Sequence, residues 1–150
     1  MTHSELAKTY FENGYNCAQA VLLAFSDLTG LDRDTALKLS SSFGGGMGRL
    51  REVCGAVSGM FMAAGLLYGT ADTDSPEQKA AHYARIQSLA AAFREKNGSY
   101  ICRELLSEVP TSAGSAPEKR SEAYYKKRPC GQLCYDAAEI LDAYIAANPC

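Results

Sequence analysis

Apolar residues recur along the chain at the three- and four-residue spacing of helices, and no useful length alternates with period two. Thr2 and Glu5 form a capping box that opens a first helix, which ends near Asn13-Gly14. Asn16 caps a second helix ending at Gly30, and Asp32 or Asp34 starts a third. The stripe of the second helix predicts these inward side chains: Cys17, Val21, Ala24, Phe25 and Leu28.

A glycine-rich loop separates the third helix from the most apolar segment. It reads Phe43-Gly44-Gly45-Gly46-Met47-Gly48, and each glycine costs a helix about 1 kcal/mol relative to alanine. A buried helix is predicted next, from about Leu50 to Tyr68. The uncharged run 53–71 is long enough to span a membrane, but its glycines make it less apolar than a span prefers. We therefore expect a central core helix and no membrane-embedded segment.

Three more helices are predicted in the second half of the chain. Ser75-Pro76 opens a long helix that Asn97-Gly98 ends, Ser99 caps a short one, and Pro129 opens the last, through about Ala147. Between the last two lie a mobile loop, 109–117, and a charged stretch, 118–128. The sequence therefore predicts an all-α, single-domain bundle of about six or seven helices over residues 1–150.

Composition narrows the functional classes. The net charge of −2 argues against a nucleic-acid binder, although Lys126-Lys127-Arg128 forms a short basic surface spot. The N-terminus does not read as a secretory signal, so we expect a cytoplasmic, reducing environment for the six cysteines. Exposed apolar faces on short helices leave room for a homodimer.

Four of the six cysteines fall near predicted helix starts: Cys17, Cys54, Cys102 and Cys130. A helix N-terminus carries unpaired N–H groups and partial positive charge, so we expect lowered thiol pKa values there. The alternative is that these thiols are small buried hydrophobes. No CxxC, CxxCH or Cys/His zinc pattern is present, and we expect His3 and His82 on the solvated surface. Cys134 shares a helix face with Cys130.

Several of these segments together resemble the C_GCAxxG_C_C family of redox-active proteins. The similarity rests on Asn16-Cys17-Ala18-Gln19-Ala20-Val21, Phe43-Gly44-Gly45-Gly46-Met47-Gly48, Cys54-Gly55-Ala56-Val57-Ser58-Gly59, Cys102-Arg103-Glu104-Leu105, and Cys130 with Leu133 and the run Asp136-Ala137-Ala138-Glu139-Ile140-Leu141. It implies that Cys17, Cys54, Cys102 and Cys130 are the functional cysteines, and it gives no role to Cys134 or Cys150. The family's genes often lie near transporter genes, which implies a functional link to a membrane transporter. A similar domain in split-Soret cytochromes accompanies haem-binding sequence that this chain lacks, so we expect no haem.

Two redox mechanisms remain open at this point. Four converging thiolates could hold a [2Fe–2S] or [4Fe–4S] cluster for electron transfer, or the cysteines could work as dithiol/disulfide pairs with a redox partner protein. In either case the backbone of the glycines could approach a bound cofactor or a thiolate closely, which makes these residues candidate binding positions: Gly44, Gly45, Gly46, Gly48 and Gly55.

Two further alternatives use other chemistry. A four-cysteine zinc site on a structural or interaction module is the alternative to redox activity, although the thiols are spaced more widely than in known zinc motifs. The glycine loop with Arg49 and Arg51 could instead bind an anion such as phosphate. We rather expect these two arginines to be solvated charges that pair with a nearby acid. The sequence leaves open whether the protein is an enzyme.

Overall fold

The computed structural model describes residues 1–150, and its regular structure is almost entirely helical. A 3₁₀ turn at Ser41–Phe43 and one antiparallel bridge between Val53 and Ile101 are the additions to nine α-helices. The helices are α1 (His3–Glu12), α2 (Cys17–Ala24), α3 (Ser26–Thr29), α4 (Arg33–Ser40), α5 (Gly55–Tyr68), α6 (Pro76–Asn97), α7 (Cys102–Leu105), α8 (Glu122–Lys127) and α9 (Cys130–Ala147). The predicted all-α class is confirmed, and the predicted count of six or seven helices is too low.

Local capping explains where most of these helices begin and end. Thr2 and Asn16 both form complete capping boxes, and the Asp32 side chain accepts from the Thr35 N–H. Ser75 caps α6, and Gly98 ends that helix in the left-handed conformation. These boundaries were predictable because each depends on residues within a few positions of one another.

The two extra helices have different origins. The second predicted helix breaks at Phe25 (φ −99°, ψ 15°), and the Ser26 hydroxyl donates to the Leu23 carbonyl at 2.7 Å. That side-chain bond competes with the helical ladder, so α3 is a separate turn and Leu28 is 45% exposed rather than inward. The other extra helix, α8, lies in the charged stretch, where the Ser121 hydroxyl caps it.

The buried helix begins later than predicted. Met47, Arg49 and Arg51 have φ values of 68°, 62° and 62°, so the irregular loop continues past Leu50. As a result α5 starts at Gly55, and Cys54 is its N-cap residue. With 14 residues α5 is short, and none of the helices combines the length and apolar character needed to cross a membrane.

Helix α7 also begins later than predicted. The Ser99 hydroxyl accepts a hydrogen bond from the Ile101 N–H instead of capping the helix, which starts at Cys102.

Helices α2, α5 and α9 form the centre of the core, and α1 packs along α9. The α2 and α5 backbones approach closely at Gly59, where a Cβ would lie 2.6 Å from the Ala18 carbonyl oxygen. The helix α6 contacts α9, where Lys96 pairs with the buried Asp136 at 3.3 Å. These contacts fix the directions in which the helix starts point.

His3 joins three helices, contrary to the prediction of a solvated surface position. Its ring stacks on Phe25 with centroids 4.3 Å apart, and its two nitrogens contact Asp27 and Asp142 at 2.9 and 2.7 Å. Burial lowers the pKa of His3, but the hydrogen bonds and charges of the two carboxylates outweigh burial and raise it above its ordinary value. The charged ring therefore ties α1 to α3 and α9.

This contact predicts a pH dependence of stability. Because the pKa of His3 is higher in the folded than in the unfolded protein, its contribution is complete below about pH 6.5 and is lost as pH rises through the folded-state value. His3→Gln should lower the free energy of unfolding by about 1–2 kcal/mol at pH 6 and by less at pH 8, measured by urea denaturation. The control is His82→Gln: burial and the charge of Arg85 lower the pKa of His82, so this substitution should not cost more stability at pH 6 than at pH 8. Equal losses at both pH values would contradict the assignment.

Candidate functional site

One cavity of about 450 Å³ brings together the four cysteines singled out in the sequence. Three of them are the first residues of α2, α7 and α9, and the fourth is the N-cap of α5. All four are at most 9% exposed and all line the cavity wall: Cys17, Cys54, Cys102 and Cys130. Four helix starts that are far apart in the sequence therefore converge on the same space.

Backbone pairing between two extended segments sets Cys54 beside Cys102. The Cys54 N–H donates to the Tyr100 carbonyl at 2.9 Å, and the Cys102 N–H donates to the Glu52 carbonyl at 2.5 Å. This short pairing explains why the chain before α5 is extended rather than helical. It holds two of the four thiols through main-chain bonds that do not depend on neighbouring side chains.

The five glycines predicted as binding positions also line the cavity: Gly44, Gly45, Gly46, Gly48 and Gly55. Two of them make room for the cysteines. A Cβ at Gly46 would lie 2.6 Å from the Cys102 Cβ, and one at Gly55 would lie 3.0 Å from the Cys17 Cβ. The absence of side chains at these positions is therefore needed for packing, and contact with a cofactor remains a prediction.

Several N–H groups of the glycine loop have no acceptor in the protein. The loop closes on itself through the N–H groups of Arg49, Arg51 and Glu52, which donate to carbonyls at positions 44–46. The N–H groups of the cavity-lining Gly45, Gly46 and Gly48 donate to no protein acceptor. Successive backbone N–H groups that point the same way in a turn form concave anion-binding surfaces in proteins.

Cys134 is a fifth member of the thiol cluster. It is completely buried, and its Sγ donates to the Cys17 carbonyl oxygen at 3.8 Å. Cys17 and Cys130 lie close enough for each thiol to shift the pKa of the other. The signal in the sequence was the four-residue spacing, which places Cys134 one turn after Cys130 on the same side of α9. The sixth, Cys150, is exposed.

The thiol pKa values are raised, not lowered as the helix starts had suggested. For Cys54, burial and the charge of a neighbouring Cys130 thiolate raise the pKa from 9.0 to about 12, and hydrogen bonds from the Ala56 and Val57 N–H groups oppose this only in part. For Cys102, burial also raises the pKa, against the effect of Arg51. Desolvation therefore outweighs the partial positive charge of the helix start.

The pKa values of Cys17 and Cys130 are also raised. A hydrogen bond with Cys130 lowers the pKa of Cys17, but its hydrogen bond with Cys134, its burial and neighbouring thiolates raise that pKa well above the usual value. The hydrogen bond with Cys17 and burial raise the pKa of Cys130, and Arg128 opposes them. At neutral pH the cluster is therefore a set of protonated thiols.

Arg49 and Arg51 are not solvated charges. Their side chains are only 13% and 16% exposed, and each lies 3.2 Å from the same Glu118 oxygen. The other Glu118 oxygen pairs with Arg128, whose side chain is 5% exposed. The expected acid partner is thus present, but it lies far along the chain and within the cavity wall. Its burial raises the pKa of Glu118, yet hydrogen bonding from Ser112 and the arginine charges lower it overall.

The fold and the cavity define a helical protein with a buried centre of several thiols. The chain belongs to the family described as "Putative redox-active protein (C_GCAxxG_C_C)", whose model matches residues 15–144. This confirms the resemblance given by the sequence motifs. A comparison with curated proteins finds no match, and neither does one with solved structures.

The raised pKa values predict loss of stability in alkali. The folded, reduced and metal-free protein holds its thiol protons to higher pH than the unfolded chain, so stability is complete below about pH 9 and falls as pH rises toward 12. Three pKa units at Cys54 alone amount to about 4 kcal/mol when the titration is complete.

The measurement is the free energy of unfolding between pH 7 and 10.5, in urea with reductant and chelator. Cys54→Ala should show a shallower decline above pH 9 than the unsubstituted protein, because the most clearly shifted thiol has been removed. Cys150→Ala is the matched control and should follow the unsubstituted protein. A Cys54→Ala curve parallel to that of the control would show that burial does not hold the Cys54 proton.

Proposed function

We propose that the protein is a two-electron thiol/disulfide redox centre in which Cys17 and Cys130 form the reversible disulfide. The observation that carries this proposal is that both thiols line one open cavity and lie close enough for each to shift the pKa of the other. Membership of a family described as redox-active supports it. The two cysteines begin different helices, so oxidation would link α2 to α9.

The surroundings assign a different part to each thiol. Cys17 and burial raise the pKa of Cys130, and the positive charge of Arg128 opposes them and favours the thiolate that attacks an incoming disulfide. Attack releases one thiol of the oxidant and leaves a mixed disulfide on Cys130. Cys17, which lies near Cys130 at the same cavity wall, then attacks the Cys130 sulfur, releases the second thiol and completes the protein disulfide. Two electrons pass to the oxidant, and each departing thiolate takes up a cysteine proton.

Cys134 gives Cys17 a second thiol neighbour on the side away from the cavity. Because it is completely buried and does not line the cavity, an external oxidant reaches it only through Cys17 or Cys130. It therefore acts as a positioning residue for Cys17 in this mechanism. Cys54 and Cys102 lie close enough for the charge of Cys130 to raise their pKa values, but they are not required for the disulfide.

Thiol counting tests the proposed pair. Mild oxidation followed by denaturation should lower the number of titratable thiols from six by two, and a dithiol reductant should restore them. Peptide mapping should identify the Cys17–Cys130 link. Cys17→Ser and Cys130→Ser should each abolish this reversible loss, and Cys150→Ser, the exposed control, should retain it. Unchanged thiol loss in both cavity variants would refute the assignment.

An iron–sulfur cluster is the second candidate, because four cysteines facing one cavity match the ligand number of such clusters. The donor chemistry fits, and Cys17, Cys54, Cys102 and Cys130 would hold the group and lose their protons on binding it. In the structure, however, no three His, Cys, Asp or Glu side chains are gathered in a way that could hold a metal ion. When bound, a cluster would supply one-electron transfer.

Metal and sulfide analysis of anaerobically purified protein separates the two candidates. The thiol/disulfide proposal predicts substoichiometric iron and acid-labile sulfide, and an unchanged metal content in Cys54→Ser and Cys102→Ser. Stoichiometric iron and sulfide with visible charge-transfer bands, both lost in those two variants, would favour the cluster. One zinc ion per chain without sulfide would instead favour the zinc-binding module.

A further inference from the structure

The cavity that exposes the thiols is strongly cationic. Arginine side chains on its wall come from the glycine loop and from the segment before α9, and the wall contains one acidic side chain, Glu118. The arginines are Arg49, Arg51, Arg120 and Arg128. The whole chain has a net charge of −2, so the cavity wall is more positively charged than the rest of the protein. Such a concentration in a partly desolvated cavity attracts anions.

The structure shows that this wall accepts a carboxylate. The Glu118 carboxylate receives bonds from Arg49 and Arg51 at 3.2 Å, from the Ser112 N–H at 3.1 Å, and from Arg128. It belongs to an exposed segment without helix, 109–121, which Arg49 also holds through the Gly114 carbonyl. A single carboxylate on an irregular segment thus neutralises part of the arginine cluster and leaves an excess of positive charge.

The other residues that line the cavity indicate which further groups a ligand should carry. Gly45 and Gly46 present N–H groups that lack protein acceptors, which suit further anionic oxygens. Phe11, Leu106 and Leu133 provide an apolar surface opposite. The volume of about 450 Å³ is that of sites for ordinary organic ligands and is far larger than a bare inorganic anion needs.

We propose that this cavity binds a low-molecular-weight organic disulfide that carries carboxylate groups, and that this molecule is the oxidant of the Cys17–Cys130 dithiol. The proposal rests on the thiol/disulfide function given above and names its substrate class. The arginines and glycine N–H groups hold the carboxylates while Cys130 meets the disulfide sulfur. One disulfide is reduced to two thiols and one protein disulfide forms, so atoms and electrons balance for a single turnover.

Charge preference in single-turnover kinetics tests the inference. The reduced Cys150→Ala protein is mixed with dithiobis-nitrobenzoate, an anionic aromatic disulfide, or with dithiodipyridine, a neutral one, and each rate is divided by that for free cysteine. The anionic probe should be favoured about tenfold or more, as one or two charge-assisted hydrogen bonds provide, and the preference should shrink with added salt.

Two substitutions are expected to change the preference for the anionic probe in opposite directions. Arg49→Gln should reduce the anionic preference several-fold, because it removes a donor, and Glu118→Gln should increase it, because it removes the competing carboxylate. Lys126→Gln, an exposed charge of the same sign, is the control and should leave the preference unchanged. If the Arg49–Glu118 contact only pins the loop, Glu118→Gln will not raise the preference, and the inference is overturned.

The experiment distinguishes a failure of anion binding from a failure of thiol/disulfide exchange. Equal normalised rates for both probes with formation of the Cys17–Cys130 disulfide would overturn the ligand class and leave the redox function standing. Saturable calorimetric binding of nitrobenzoate, weakened by Arg49→Gln, with no protein disulfide formed by either probe would support the anionic ligand and refute the redox function. Absence of both binding and exchange would refute both.

Discussion

The close passage of backbone beneath the thiols is the constraint on which the site depends. The loop before α5 runs so near α7 that a methyl group at Gly46 would overlap the Cys102 side chain, and α5 lies so near α2 that Gly55 touches Cys17. Gly59 continues this contact one turn later. Larger residues there would force α2, α5 and α7 apart, and interiors packed this densely do not absorb such shifts. The convergence of four helix starts therefore follows from where the chain lacks side chains.

Burial and helix-terminal charge act on the thiols in opposite directions, and burial is stronger. Helix N–H groups and arginines favour thiolate at Cys54, Cys102 and Cys130, but the pKa values are raised overall, by burial at Cys54 and Cys102 and by Cys17 together with burial at Cys130. The protein thereby keeps several thiols close together without the repulsion that several thiolates would cause. Reactivity then depends on which thiol has a cation at the cavity wall, and Arg128 gives Cys130 that advantage over Cys17.

Features fixed by short sequence patterns were predictable, and features fixed by tertiary contacts were not. The caps at Thr2, Asn16 and Ser75 are local, and they placed the starts of α1, α2 and α6 correctly. The sequence also singled out the cysteines and glycines that line the cavity. The extended chain before α5 depends on pairing with residues 100–103, and the pairing of Arg49 and Arg51 depends on Glu118, more than sixty positions later in the sequence. Spacing along one chain carries no information about such distant partners.

Helix α1 packs against α9, so the first and last helices of the protein are in contact. His3 fastens this junction to Asp142, and Arg120 reaches the Phe11 carbonyl from the segment that precedes α9. Phe11 of α1 lines the cavity together with Cys130, so detachment of α1 would open the cavity wall near that thiol. Fraying of the amino terminus is thus coupled to access to the sulfur centre.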